Sequence, residues 1–391
     1  MSSTLKNGIL FLLVLLILQE IILRLAFPIP EISNFDRANY IPGTEKGLTF
    51  PFYRNSKWIW ESELDTNYQF EHELNRYGFR DEEWKTEKSS YKKRILVIGD
   101  SFTEGIMAEQ DQTIKSGFKQ KDTEDLYEIL NLGIMGVGMN SYLKLTTDAI
   151  SIFKPDIVCL LLYSNDLTDK KPIIPENQLV AQKYNYFTPR LLEIYRQIKN
   201  GSPIPFRFNW KKKSFLPAMT DKSFPWYGRE NVLLEHTVKE VRNSMIEGKT
   251  NPFKLNQILR EKDALLKQPH FEVAFDYFRK LAEENNVELV IGYIPARHQV
   301  TNYYYQFEKS FCKKNCPDQL DLTVTQYNQH QNYLENLSAI NDFEFLNFTS
   351  LIKDEESRNH HLYWDYDDHM KGKGYLLLGN HLYEKVKSSQ Q

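Results

Sequence analysis

The sequence predicts an α/β fold built on a mainly parallel sheet, preceded by an apolar N-terminal helix and interrupted once by an insertion. Three observations carry this expectation. Short apolar runs rich in β-branched residues alternate with longer segments of helical periodicity. The run Ile95–Ile98 is apolar at every position, the pattern of a strand buried on both faces of a parallel sheet. The runs end abruptly in glycine or polar residues, and in open α/β sheets it is beyond the carboxyl ends of strands that ligands bind.

The elements follow in chain order. From Gly8 to Phe27 the chain is almost continuously apolar, broken by Gln19, Glu20 and Arg24. About 20 such residues span a bilayer. No small-x-small cleavage site stands in LRLAFPIP, so residues 1–30 read as a retained signal anchor, with a cleaved signal peptide as the alternative. Lys6 and the amino terminus are the early positive charges, which puts the N-terminus in the cytoplasm and the rest outside. Glu20 and Arg24 stand four apart on one helix face, placed to pair with each other or to meet another membrane protein. Residues 31–90 form an irregular, polar extension in which FPIPEIS and FPFYR mark loops.

The domain proper is expected over residues 91–391. A strand at Ile95–Ile98 follows Lys92, Lys93 and Arg94 and closes at Gly99. A helix carrying Ile114 and Phe118 leads to a strand at Glu128–Leu132 that ends in GIMGVG. The next helix has Leu143, Ile150 and Phe153 at helical spacing, and Pro155 separates it from a strand at Ile157–Tyr163. Such alternation implies right-handed crossovers between parallel strands. The pattern breaks over about residues 170–268, where prolines, aromatics and NWKKK accumulate and a helix is expected to start at Asn251 and Pro252. This stretch reads as an insertion over the sheet, a lid or a substrate-recognition region. Alternation resumes with Phe271, Ala274, Phe278 and Leu281 on one helix face, a strand at Val287–Ile294 and a short strand in FEFLNF. The final helix shows Tyr375, Leu378, Leu382 and Val386 on its apolar face.

Composition narrows the function. The 391 residues carry 49 basic and 52 acidic side chains, so there is no strongly basic field and no nucleic-acid partner is expected. The many Tyr and Phe residues are assigned to the core rather than to a sugar-binding groove. Cys159 lies in DIVCLLLY and reads as an inert core residue. Cys312 and Cys316 in FCKKNC suit a disulfide of an exported protein, since zinc would require two more ligands and none has suitable local spacing. GIMGVG lacks both the Walker lysine and a full GxGxxG, which sets a nucleotide site aside. No metal or organic cofactor is implied.

The chemistry lies at the strand ends. The first supplies Gly99-Asp100-Ser101, the second Gly136 within NLGIMGVG, and the third Asn165 within YSNDLTD. DYDDHMKGKG, just before the last helix, supplies Asp365, Asp367, Asp368 and His369. Serine is a poor nucleophile until a base takes its proton, and histidine suits that task near neutral pH. A carboxylate must hold the histidine tautomer. The oxyanion needs fixed donors, which the Ser101 N–H, the Gly136 N–H and the Asn165 amide would provide. Each piece alone is a turn, a cap or a solvated loop; together they occur in order, each at a strand end or helix entry.

GDSFTEG, NLGIMGVG, SND and DDHMKGKG together resemble the four blocks of the SGNH hydrolases, a branch of the GDSL esterase/lipase superfamily. The resemblance covers roughly residues 75–165 and 270–388, and NRYGFRD before RILVIGDSFTEG is similar to a membrane-anchored or exported bacterial subgroup. It implies a flavodoxin-like, three-layer α/β/α sandwich. It implies Ser101 as nucleophile, His369 as base, and Ser101, Gly136 and Asn165 as oxyanion donors. One departure stands out: the commonest spacing, Asp-x-x-His, falls on Tyr366, so the carboxylate is assigned to Asp367, with Asp365 and Asp368 as alternatives. Asp100 is expected to order its own turn. Arg80 is expected to buttress the site or to bind a substrate carboxylate, His298 to line the pocket, and His360 and His361 to be solvated. The function expected is a serine esterase acting on short-chain acyl esters, O-acetyl groups of cell-envelope glycans above all, from an extracytoplasmic position at the membrane. An O-acyltransferase using the same residues and a non-catalytic glycan-binding protein are the rival expectations.

Overall fold

The computed structural model describes residues 3–26, 35, 37–40, 57–61, 69–168, 189–192, 195, 270–305, 325–364 and 368–389. Most of the 170–268 insertion, the expected helix start at Asn251, Cys312, Cys316, Asp365, Tyr366 and Asp367 lie outside the described residues.

Helix α1 (Ser3–Ala26) is long enough, at about 36 Å, to cross a membrane. Its apolar side chains, Leu10, Phe11 and Ile22 among them, are exposed. Arg24 Nε donates to Glu20 at 2.5 Å, the expected i, i+4 pair. The same carboxylate also accepts from the backbone N–H of Arg190 at 2.9 and 3.0 Å.

The extension contains a hairpin that the sequence pattern did not announce, β1 (Lys57–Glu61) against β2 (Gln69–Glu73). The central sheet then has five parallel strands: β3 (Lys93–Gly99), β4 (Tyr127–Gly133), β5 (Ile157–Tyr163), β6 (Glu288–Ile294) and β7 (Glu344–Asn347). Their spatial order is β4-β3-β5-β6-β7, which is the 2-1-3-4-5 order of a flavodoxin-like sheet. The connecting helices are α2 (Ser101–Glu104), α3 (Ile114–Lys121), α4 (Met139–Phe153), α5 (His270–Asn285), α6 (Thr325–Ile340), α7 (Thr349–Ser357) and α8 (Gly372–Ser388).

Alternation along each strand divides the core into two layers. Leu96, Ile98, Val158, Leu160 and Leu162 pack with α4, α5 and α6 on one face. Ile95, Val97, Ile157, Cys159 and Leu161 pack with α3, α7 and α8 on the other. Strands buried on both sides are why the runs read as continuous apolar segments. Cys159 is a free, buried thiol, in keeping with an inert core position.

The described residues of the extension include several that pack against this core. Phe35, Phe79 and Trp84 pack with Phe153 of α4, with ring centroids 5.1 Å apart for Phe35–Phe153 and 5.5 Å for Trp84–Phe153. Buried Arg94 fastens this packing, donating to the Thr86 and Glu87 carbonyls at 2.8 Å, to that of Phe153 at 2.7 Å and to the Glu128 carboxylate at 2.8 Å. A buried charge needs such partners.

Candidate active site

The site forms where β3 and β5 run side by side, the point at which crossovers leave the sheet in opposite directions. β3 ends at Gly99, and Asp100 caps the single-turn helix α2 by accepting from Phe102 N at 2.9 Å. Ser101 is therefore the first residue of α2, where backbone N–H groups lack intrahelical partners. Its Oγ lies 2.8 Å from His369 Nε2, a contact across 268 residues of sequence.

Antiparallel backbone pairing of residues 362–364 with 369–371 delivers that histidine. Tyr363 bridges Met370, Trp364 N donates to the His369 carbonyl at 3.1 Å, and Lys371 N to that of Leu362 at 2.7 Å; α8 begins at the next residue. Phe102 stacks on Tyr163 at 3.8 Å and meets the His369 ring at 5.2 Å, which limits the ring's rotation. Buried Arg297, just past β6, holds the loop from beneath. Its Nη1 donates to the Trp364 carbonyl at 2.6 Å and its Nε faces Asp368 at 3.3 Å. Asp368 thus turns toward Arg297, as its adjacency to His369 suggests. Asp367, the assigned carboxylate, lies outside the described residues, as does Asp365.

Of the expected oxyanion donors, Ser101 follows β3 itself, and Gly136 and Asn165 follow the two strands that flank it. Gly133 pairs in register with Gly99, and three residues on, Gly136 occupies a turn at φ +73°, a conformation that favours glycine. It is exposed, and a Cβ placed there would meet nothing within 4 Å. On the other side Leu161 pairs with Gly99, and the turn after β5 presents an exposed Asn165. Asp166 pins this turn, accepting from Tyr163 N at 2.9 Å and Tyr142 OH at 2.8 Å.

Asp100 is fully buried, and burial pushes its pKa up to about 6. The Phe102 N–H, the charge of His369 and a hydrogen bond with the Asn165 side chain pull in the opposite direction. Asp100 therefore does more than order its own turn: it links the nucleophile helix to an expected oxyanion donor. Bonding one amide N–H fixes the plane in which the other points.

Other expected residues fall around the site. Arg80 is buried and gives its donors to the Gly105 carbonyl, to Ala108 O at 2.7 Å and to Gln110 at 2.9 Å, which is the buttressing role. Burial draws its pKa down to about 10 despite the opposing pull of Glu104. His298 is buried in a 3-10 turn. His360 is exposed beside Glu355, whereas His361 stacks on Tyr303 with centroids 3.6 Å apart. Sequence reasoning missed Glu104, Asp166 and Arg297 as parts of the site, although two lie inside quoted motifs and Arg297 adjoins His298.

No protein-family model matches the sequence, and no curated protein matches it. Among solved structures the chain is similar to a lipase/acylhydrolase from Enterococcus faecalis, at 11% identity over 76% of this chain and 96% of that one, with a TM-score of 0.37. It is similar to a GDSL-like lipase from Bacteroides thetaiotaomicron, at 12% identity over 76% and 89% of the two chains, with a TM-score of 0.33. A catalytic mutant of an acetylxylan esterase from Geobacillus stearothermophilus matches at 12% identity over 77% and 96%, with a TM-score of 0.35. Likeness at these scores decides nothing about chemistry, which rests on the arrangement of side chains.

Proposed function

We propose that this protein is a membrane-anchored serine esterase that removes short acyl groups, O-acetyl esters of cell-envelope glycans in particular. The observation that carries this reading is the 2.8 Å contact between Ser101 Oγ and His369 Nε2 at the switch point of the sheet. His369 Nε2 takes the Ser101 proton as Oγ attacks the ester carbonyl carbon. The resulting oxyanion is held by the N–H groups of Ser101 and Gly136 and by the Asn165 amide. His369 returns the proton to the departing alkoxide, and the alcohol leaves. Water, activated by the same imidazole, then attacks the acyl-enzyme and releases the acid and Ser101. Asp367 is the carboxylate assigned to orient His369. Two features support the glycan substrate and the extracytoplasmic location: α1, long and apolar enough to span a membrane, and Lys6 on its N-terminal side.

The test is labelling of the full-length protein in detergent with a fluorophosphonate, alongside hydrolysis of p-nitrophenyl acetate. Wild type is expected to label at Ser101, Ser101→Ala not at all, His369→Ala at least 100-fold more slowly, and Asp367→Asn slowly as well. Folded wild type that neither labels nor hydrolyses short-chain esters overturns the proposal.

A further inference from the structure

The nucleophile helix and the Gly136 turn are joined by a buried ion pair that the reaction scheme leaves unused. Glu104, the last residue of α2, is fully buried, and Arg37, from the N-terminal extension, is 1% exposed. They form a two-pronged pair, Nη1 to Oε1 and Nη2 to Oε2, each at 2.8 Å. Oε2 has a second donor, the backbone N–H of Met135, at 2.7 Å. The preceding N–H, of Ile134, donates to the Gly99 carbonyl at 3.0 Å. Two consecutive N–H groups are thus tied to the nucleophile block, and the next one along is that of Gly136.

Gly136 has no side chain to pack, stands exposed, and meets nothing in the direction a Cβ would take. Its peptide orientation therefore depends on what holds the residue before it. Arg37 is itself fixed, its N–H donating to the Tyr77 carbonyl at 2.9 Å and its Nη1 facing Gly78 O at 3.4 Å. Packing alone does not explain this arrangement, because apolar side chains of similar volume generally replace a buried ion pair at little or no loss of stability.

We infer that Arg37 and Glu104 are positioning residues that hold the Met135–Gly136 turn, so that the Gly136 N–H faces the oxyanion. The inference rests on the esterase reading for its effect on rate, and on the hydrogen bonds alone for its effect on the turn. Neither residue touches substrate. Arg37 fixes the Glu104 carboxylate, the carboxylate fixes Met135 N, and the turn presents Gly136.

The test compares full-length wild type with R37M/E104M and R37M/E104Q. Both doubles remove the charges together, so neither leaves a buried charge alone. In R37M/E104M the Met135 N–H loses its acceptor; in R37M/E104Q the amide oxygen restores one. For R37M/E104M the inference expects a kcat on p-nitrophenyl acetate at least ~10-fold below wild type, part of the 10²–10³-fold worth of a whole donor, with KM within about 2-fold. R37M/E104Q is expected to recover much of that loss. Hydrogen exchange of the segment 133–138, read by mass spectrometry, is expected to speed up in R37M/E104M and to slow again in R37M/E104Q. A folded R37M/E104M with wild-type kcat and wild-type exchange overturns the inference. If that variant does not fold, Glu104→Asp serves instead: it keeps the charge but withdraws the acceptor, and unchanged kcat and exchange would again refute the role. Inactive wild type would defeat the esterase reading, and the exchange measurement would still decide whether the pair holds the turn.

Discussion

Replacing Asp100 by Asn separates what the buried carboxylate costs the fold from what it does for the site. Asp100 is 2% exposed, and burial raises its pKa from 3.8 to about 6. Between those values the folded chain holds a proton that the unfolded chain has released. Wild-type stability therefore falls as pH rises through this window, and the contribution is fully present only below the unfolded value. Two units amount to on the order of 3 kcal/mol in all, and about 2 kcal/mol of that falls between pH 4.5 and pH 8. Asn cannot titrate and caps a helix about as well as Asp, so the variant should lack this dependence. The gain in stability from Asp100→Asn, measured by urea unfolding, should thus be about 2 kcal/mol larger at pH 8 than at pH 4.5, whatever its absolute level. Activity should move the other way. An Asn side chain offers one acceptor where the carboxylate served both Phe102 N and Asn165, and it removes the charge that faces His369. A difference between variant and wild type that is flat from pH 4.5 to 8 would refute this account of Asp100, as would a stabilised variant with undiminished kcat.

Two further substitutions probe the supports. Helices α3 and α8 touch backbone to backbone, and a Cβ on Gly379 would lie 2.0 Å from the Ile114 carbonyl oxygen; Gly379→Ala should force the helices apart and cost about 1–3 kcal/mol, visible as a lower Tm, and an unchanged Tm would show that the crossing is looser than described. Arg297→Met removes the donor to the Trp364 carbonyl and the charge that faces Asp368, so it should cost about 2 kcal/mol and lower kcat more than it changes KM; equal activity at matched folding would show that the histidine loop holds itself.

The sheet was legible because parallel strands buried on both faces are predominantly apolar, as in β3 and β5. Ile95–Ile98 grew only to Lys93–Gly99, and FEFLNF became Glu344–Asn347. The hairpin of KWIWE and QFEHE was not legible. Among the described residues its two strands pair with each other and with no other strand, so neither carries the continuous apolar signature. Helix α6, TQYNQHQNYLENLSAI, was missed for a related reason: among its described side chains Leu334 and Leu337, with half-buried Tyr333, face the core, too narrow a stripe to stand out among polar residues. At the site, Ser101 and His369, which the structure brings together, were legible as a candidate pair because nucleophile-and-base chemistry allows few residue types. The supports were not. A carboxylate in GDSFTEG does not reveal that its partner, Arg37, stands 67 residues earlier.

The distribution of these supports follows from the sheet order. β3 is flanked by β4 and β5, so its end receives backbone from both sides: the Gly136 turn from one, the Asn165 turn from the other. His369 has no such neighbour. It follows β7, at the sheet edge, and must be carried back to Ser101 across the face formed by α3, α7 and α8. The loop that carries it is consequently fastened at both sides. Arg297 grips it just past β6, while near Ser101 Trp364 Nε1 donates to the Met107 carbonyl at 3.0 Å and Tyr375 OH to that of Ile106 at 2.8 Å. Met107 pays for this with a left-handed backbone, φ +66°, a conformation costing a methionine roughly 1–2 kcal/mol. Such strain persists only where surrounding contacts over-determine it. The burial of Met107 and the two hydrogen bonds from the histidine side supply that excess. A 2.8 Å contact between residues 268 positions apart is thus held by the loops around it, not by the two side chains that make it.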